Sequence, residues 1–130
     1  MGEKAPSVDL WLQEAKAEEN ATKCGMYLVH NGVVRQTAKA MVREGAEGTL
    51  PVKGMRFGYD AKKVKETVEK TKRLPGIYHV RAWLNEGELA LGEDLMLVLI
   101  GGDIRPHVVD ALQFLVGALK QECVFEIERT

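Results

Sequence analysis

The sequence predicts an α+β fold with a mostly antiparallel sheet and two or three packed helices. Three observations predict it. Stretches of strand-like composition are short and separated by tight turn signals. Other segments carry a capping residue followed by helical residues, and the two kinds of element are mixed along the chain. The 130 residues fit one domain, which we place at 1–130.

The N-terminal part is predicted to form a helix and then a strand. Ser7 can cap a helix that begins at Val8, because its hydroxyl can accept a hydrogen bond from a backbone N–H of the first turn. A strand is expected at 26–30. The Asn31-Gly32 pair is a strong turn signal and is expected to end that strand.

The stretch 37–53 is the hardest to interpret, because two glycines and a proline interrupt any long element. We expect a loop there, with one short strand at 40–43. Apolar residues alternate again at 52–59, and this alternation predicts a strand.

The middle of the chain is predicted to contain a second helix at 61–73. Asp60 is a good N-cap, and a Pro-Gly pair ends the helix. Its surface is mostly charged and no aromatic residues are interleaved, which favours a solvated face over a nucleic-acid face. Strands at 77–84 and 88–91 follow, joined by a turn at 85–87.

The C-terminal part holds the strongest signals. The continuous apolar run at 95–100 predicts a central, buried strand. Two glycines and Asp103 are expected to turn the chain into the last helix, with Asp103 as its cap. Apolar residues recur at helical spacing across 108–119, and a strand at 124–128 follows.

Composition excludes several classes of function. The net charge of −1 gives no general reason to expect a nucleic acid or an anionic membrane as partner. The longest apolar run is too short to cross a bilayer, and the first residues lack a signal-peptide pattern, so cytoplasm is expected. The two cysteines and three histidines are too scattered for a zinc motif, and we expect neither metal nor cofactor.

Two places could carry chemistry. At 101–105 a helix N-terminus and Arg105 could hold a phosphate, although a simple connection explains the same pattern and Asp103 could occupy the free N–H groups itself. The second is Lys120, near the end of the same helix, where a lysine is ordinarily a favourable partner of the helix dipole. No Ser-His-Asp set, P-loop or dinucleotide fingerprint is present.

Several short motifs occur in a characteristic order. They are Gly32-Val33-Val34-Arg35 after a strand, Gly87-Glu88-Leu89 followed by Gly92-Glu93, then Arg105, and finally Leu119-Lys120. In this order and spacing the chain resembles the large, catalytic subunit of molybdopterin synthase. The resemblance covers most of the chain and is poorest at 37–53.

The resemblance implies a role in molybdenum cofactor biosynthesis. This family transfers sulfur to cyclic pyranopterin monophosphate from the thiocarboxylated Gly-Gly tail of a ubiquitin-like small subunit, within a heterotetramer built on a homodimer of large subunits. By resemblance Lys120 is the catalytic residue beside that tail. It could pair with the thiocarboxylate or form a transient covalent bond after sulfur has left. Arg35 and Arg105 would bind the substrate's phosphate or pterin.

The sequence departs from the family at several positions. Ile104 stands where a histidine is usual, Leu84 and Asn85 replace a His-Arg pair, and Ile127 stands at a second lysine. The alternative is therefore a non-catalytic dimeric relative that binds a pterin phosphate or a ubiquitin-like tail.

The distance between two of the candidate residues can be estimated from helix geometry. Fifteen residues of helix place Arg105 about 22 Å from Lys120, so a shared site would need Arg105 from a dimer partner.

Overall fold

The computed structural model describes residues 2–36 and 51–130. The predicted short strand at 40–43 lies outside these residues. The elements, in chain order, are α1 (Val8–Lys16), a 3₁₀ helix (Glu19–Lys23), β1 (Met26–Val33), β2 (Gly54–Tyr59), α2 (Ala61–Lys72), β3 (Ile77–Leu84), β4 (Gly87–Ala90), β5 (Asp94–Gly102), α3 (Arg105–Ala118), a π-helical turn (Leu119–Cys123) and β6 (Val124–Arg129).

Within the described residues, the strands form two antiparallel sheets of three strands each, in the orders β1-β5-β3 and β4-β2-β6. The predicted α+β class with antiparallel pairing is confirmed, and the sheet is divided in two. β5 lies at the centre of the first sheet, as its apolar run predicts. A central strand has apolar neighbours on both faces, which explains why its sequence does not alternate.

Each face of β5 packs against a different helix. Val98 and Ile100 belong to the main core, which also includes Val108, Ala111 and Leu115 of α3. The three α3 residues lie on one face of the helix because they are three and four positions apart. On the opposite face of β5, Leu97 and Leu99 pack against Trp11 and Ala15 of α1. The first sheet is therefore covered on both sides.

The caps of α1 and α2 are as the sequence predicts. The Ser7 hydroxyl accepts a hydrogen bond from the Leu10 N–H, and one carboxylate oxygen of Asp60 accepts from Lys62 N at 3.0 Å and Lys63 N at 3.1 Å. Such caps satisfy backbone donors that have no partner within the helix. The buried face of α2 includes Thr67, whose hydroxyl donates to the Lys63 carbonyl.

The expected turn at Asn31-Gly32 is wrong, because β1 runs through both residues to Val33. The Asn31 side chain explains the difference. Its Nδ2 donates to the Met96 carbonyl at 3.1 Å and to the Asp94 carboxylate at 3.0 Å, both on the neighbouring strand β5. These bonds hold Asn31 in the sheet, and the irregularity falls one step later, as a bulge between Gly32 and Val33.

The start of α3 also differs from the prediction. Gly101 and Gly102 belong to β5, and the N-cap residue is Ile104. A Cβ on Gly102 would lie 2.7 Å from the Gly76 carbonyl oxygen, so the close approach of two backbones requires glycine there. The Asp103 carboxylate accepts from the Ile104 N–H at 2.6 Å and contacts His107 Nδ1 at 2.7 Å. It therefore occupies part of the proposed phosphate position itself.

Asn85, after β3, joins three segments of chain and is 1% exposed. Its side-chain oxygen accepts from Glu3 N at 2.8 Å and from Glu86 N at 2.9 Å. Its Nδ2 donates to the carbonyls of Glu3 and Asp94 at 3.0 and 2.9 Å. Asn85, which stands in place of the arginine of the family's His-Arg pair, thus ties the N-terminal segment to the sheet.

We expect Asn85→Ala to lower the free energy of unfolding by about 1–3 kcal/mol, because the buried backbone groups that it pairs would lose their partners. Urea unfolding followed by circular dichroism measures this. Glu86→Ala is the matched control, since Glu86 is the exposed neighbour and should change stability little. Equal stabilities for the two variants would contradict the anchoring role.

Within the part of the chain that the structure describes, no helix has both the length and the apolar character to span a membrane. Among those same residues, no group of three or more histidine, cysteine, aspartate or glutamate side chains could hold a metal ion.

Candidate functional site

A cavity of about 300 Å³ lies where the two sheets meet. The first sheet contributes residues of β1 and β5, the second contributes residues of β2 and β6, and the π-helical turn contributes one side chain. Its lining consists of His30, Gly32, Val33, Arg35, Met55, Leu95, Met96, Lys120, Glu126 and Glu128. A smaller cavity of about 250 Å³ adjoins it at Lys120, Val124, Glu126 and Glu128.

The cavity brings together two of the three site residues predicted from the sequence. Arg35 and Lys120 are 85 positions apart in the chain, and both line it. Arg105, the third, begins α3 and is exposed, and it is not part of the lining. The helix between Arg105 and Lys120 is continuous to Ala118, consistent with the expected separation of about 22 Å within one chain.

Lys120 is held by the π-helical turn Leu119–Cys123 that follows α3. Leu119 is fully buried in the main core and Cys123 is 4% exposed, so the two ends of the turn are anchored. Lys120 itself is exposed toward the cavity. A π-helical turn widens the helix by one residue and often occurs at functional sites. The sequence placed Lys120 near a helix end but did not predict this turn.

Arg35 is positioned by pairing between two of the short sequence motifs. The preceding residue, Val34, is buried, and its N–H donates to the Glu93 carbonyl at 3.0 Å. The Gly92 N–H donates to the Val34 carbonyl at 2.8 Å. Gly92 has a φ of 82°, a conformation that glycine adopts without strain. The motifs that end in Arg35 and Glu93 therefore meet in space and fix the backbone beside the arginine.

Glu126 and Glu128 also line the cavity, and the sequence did not identify them as site residues. They are half-buried because alternate residues of β6 face the cavity. Phe125 and Ile127 are exposed on the other face, at 51% and 47%. Ile127, at the family's second lysine position, thus points away from the cavity. The alternation of a strand across 124–129 is the sequence signal that places Glu126 and Glu128 on the same face.

His30 is a further cavity residue that the sequence did not identify. It lies opposite Val98 in the β1–β5 register, on the same side of β1 as Gly32. A Cβ on Gly32 would lie 3.8 Å from His30 Nε2 and 3.2 Å from Met96 Cγ, so the missing side chain leaves room beside the ring. A turn at Asn31-Gly32 would end the strand at His30. The expectation of that turn therefore did not place His30 and Gly32 on the same side of one strand.

The imidazole of His30 favours its neutral form. Burial lowers the pKa of His30 below its ordinary value of 6.5, and the positive charge of Lys120 lowers it further. Neutral imidazole can accept a proton or a hydrogen bond at neutral pH. The cavity therefore combines two cations, two carboxylates and one uncharged base.

Titration of His30 by nuclear magnetic resonance is expected to give a pKa below 6.5, and Lys120→Ala is expected to raise it. Because folding lowers this pKa, the neutral form of His30 favours the folded state. The contribution of neutral His30 to the stability of the folded protein is fully present above pH 6.5. It is lost as the pH falls from 6.5 through the pKa that His30 has in the folded state. His30→Gln should reduce this pH dependence. A pKa at or above 6.5 would contradict the proposed environment.

The arrangement suits recognition of an anionic group by Lys120 and Arg35. Arg35 offers a planar fork of donors, and Lys120 offers a compact charge. Both cations have further interactions within the chain, and so do Glu126 and Glu128. A ligand would therefore bind within an ordered set of charges of both signs.

Comparisons with known proteins agree on one family. A model of the MoaE protein family matches residues 6–122. The structure of molybdopterin synthase from Staphylococcus aureus matches with a TM-score of 0.71 and 16% identity, over 96% of this chain and 86% of that chain. A molybdopterin biosynthesis MoaE protein from Burkholderia ambifaria MC40-6 gives 0.71 and 16%, over 95% and 79%.

One chain of a two-subunit complex is also similar in structure to this chain. The complex of subunits 1 and 2 of molybdopterin-converting factor from Helicobacter pylori 26695 matches with a TM-score of 0.66 and 16% identity, over 97% of this chain and 80% of that chain. No curated protein sequence matches the chain. At these identities the likeness between structures shows a shared fold.

Proposed function

The chain belongs to the MoaE protein family, and from this premise we propose that it is the large, catalytic subunit of a molybdopterin synthase. The family works in molybdenum cofactor biosynthesis. The observation that carries the proposal is the cavity between the two sheets, where Lys120 and Arg35 lie together. The resemblance to the family implies a role for each of these two residues.

The proposed reaction transfers sulfur to cyclic pyranopterin monophosphate from the thiocarboxylated Gly-Gly tail of a small ubiquitin-like subunit. In this proposal Lys120 pairs with the thiocarboxylate, because an ammonium group matches its negative charge. Arg35 binds the phosphate or the pterin of the substrate, for which a guanidinium fork is suited. The chain needs no metal or cofactor in this scheme.

A small-subunit partner agrees with the related structure from Helicobacter pylori, which is a complex of two subunits. We propose a heterotetramer in which a homodimer of this chain carries two small subunits, in the cytoplasm. Arg105 is assigned to the site of the second copy, since about 22 Å separates it from Lys120 within one chain. A strictly monomeric protein would contradict this part of the proposal.

The test is reconstitution with cyclic pyranopterin monophosphate and the thiocarboxylated small subunit from the same source. The dithiolene product is measured as its oxidised fluorescent derivative. We expect product formation that depends on both additions. Failure to form product, with a folded protein and an active control synthase, would overturn the catalytic proposal.

A binding module without turnover is the second candidate, and Ile127 favours it. Ile127 stands where the family has its second lysine, and it is exposed on the face of β6 that points away from the cavity. A residue of the family's working site is therefore missing, while Lys120 and Arg35 remain in the cavity to bind an anion. This candidate predicts saturable binding of the pterin phosphate in calorimetry, without sulfur incorporation.

A further inference from the structure

His30 has no role in the proposed sulfur transfer as described so far, yet it lies in the same cavity as Lys120. It comes from the middle of β1, where pairing with β5 fixes its backbone. The side chain is half-buried, and the ring is adjacent to the space that Gly32 leaves open. His30 therefore shares the cavity with the two cations that we propose hold the substrate.

The charged groups that line the cavity with His30 come from three places. Lys120 belongs to the π-helical turn, Arg35 to the segment after β1, and Glu126 and Glu128 to β6. The charge of Lys120 acts on the His30 ring and lowers its pKa. The remaining lining, which includes two methionines, is largely apolar. His30 is thus the uncharged proton acceptor among the cavity residues at neutral pH, because burial and then Lys120 lower its pKa.

Sulfur transfer from an acyl group needs such an acceptor. Once the tail sulfur has bonded to the pterin carbon, the acyl–sulfur bond must break for sulfur to remain with the product. Water supplies the oxygen that replaces sulfur on the acyl carbon. One water proton must be removed as the carbon–oxygen bond forms, and a positioned imidazole is the commonest group for this task.

We propose that His30 is the general base that activates this water, an inference that rests on the proposed function. In this step the water oxygen bonds to the acyl carbon, one O–H bond breaks, and its proton passes to His30. The carbon–sulfur bond to the acyl group then breaks, and sulfur leaves as a thiolate on the product. The tail is released as a carboxylic acid, which loses the second water proton to solvent and becomes a carboxylate. The Lys120 ammonium stabilises the oxyanion that forms between these events.

A C-terminal thioester of the small subunit tests this step separately from pterin chemistry. Its acyl–sulfur bond is of the same kind, and its hydrolysis releases a thiol that can be measured continuously. We expect the protein to accelerate hydrolysis, with a rate that rises with pH through an apparent pKa below 6.5. His30→Gln should lower the rate by about a hundredfold or more and remove this pH dependence.

Val29→Ala is the matched control, because Val29 is the preceding strand residue, faces away from the cavity lining and should leave the rate unchanged. Titration of His30 by nuclear magnetic resonance in the unaltered protein gives a second measurement that needs no variant. The kinetic pKa must equal the pKa of His30. Different values, or a His30→Gln protein with the same rate and pH profile, would overturn the inference.

The outcomes separate the inference from the proposed function. Thioester hydrolysis that depends on His30, without dithiolene product, would support the base and reject the pterin reaction. Dithiolene product that forms equally well with His30→Gln would support the synthase and reject the base. Absence of any accelerated thioester hydrolysis would also reject the base.

Discussion

Lys120→Ala is expected to lower the rate of dithiolene formation by at least about a hundredfold, because it removes from the cavity the positive charge that we propose pairs with the thiocarboxylate. The substitution should leave the fold intact, since Lys120 is exposed while its neighbour Leu119 anchors the turn. Single-turnover reactions of the reconstituted complex measure the effect on chemistry rather than on product release.

Lys120→Arg separates the two roles that the sequence left open for Lys120. Arginine keeps the positive charge but cannot form the transient covalent bond, so we expect it to retain more activity than alanine if ion pairing is the role. Gln121→Ala, at the exposed neighbouring position, is the control and should behave as the unaltered protein. Full activity in Lys120→Ala would contradict any catalytic role for this residue.

Leu119→Ala is expected to destabilise the protein by about 2–5 kcal/mol, the usual range for truncating a fully buried leucine. Leu119 is 0% exposed and belongs to the core that joins α3 to the sheets. Because it also anchors the π-helical turn, the loss of packing should loosen the position of Lys120. Urea unfolding measures the first effect, and the sulfur-transfer rate below the unfolding transition measures the second.

The exposed Phe114 provides a comparison for Leu119→Ala. Phe114 is 42% exposed on α3, so Phe114→Ala should cost much less stability although it removes a larger side chain. If both substitutions cost the same, burial of Leu119 in the core would not be the source of its contribution. If Leu119→Ala lowered stability but not the rate, the turn would not be needed to position Lys120.

The fold could be predicted from the sequence where one local signal governs each element. The apolar run at 95–100 predicted the central strand β5, and Asp60 predicted the start of α2. The prediction failed at Asn31-Gly32 because a tertiary contact prevailed over a local preference. Asn31 bonds to β5, which lies more than 60 residues away in the chain, and no window around residue 31 contains that information.

The candidate site could be predicted only in part. The ordered motifs indicate Arg35 and Lys120 as candidate residues, and both line the cavity. His30, Glu126 and Glu128 were missed because each belongs to a strand whose inward face depends on pairing with a distant segment. Strand alternation could have grouped Glu126 with Glu128, but nothing local indicates that β6 and β1 border the same cavity.

Sulfur tracing tests the central claim most directly. The small subunit is prepared with radioactive sulfur in its C-terminal thiocarboxylate and incubated with this protein and cyclic pyranopterin monophosphate. A molybdopterin synthase must move the label into the pterin, and Lys120→Ala must largely prevent this. Label that stays on the small subunit, while a control synthase moves it under the same conditions, would contradict the claim and leave the chain as a binding module.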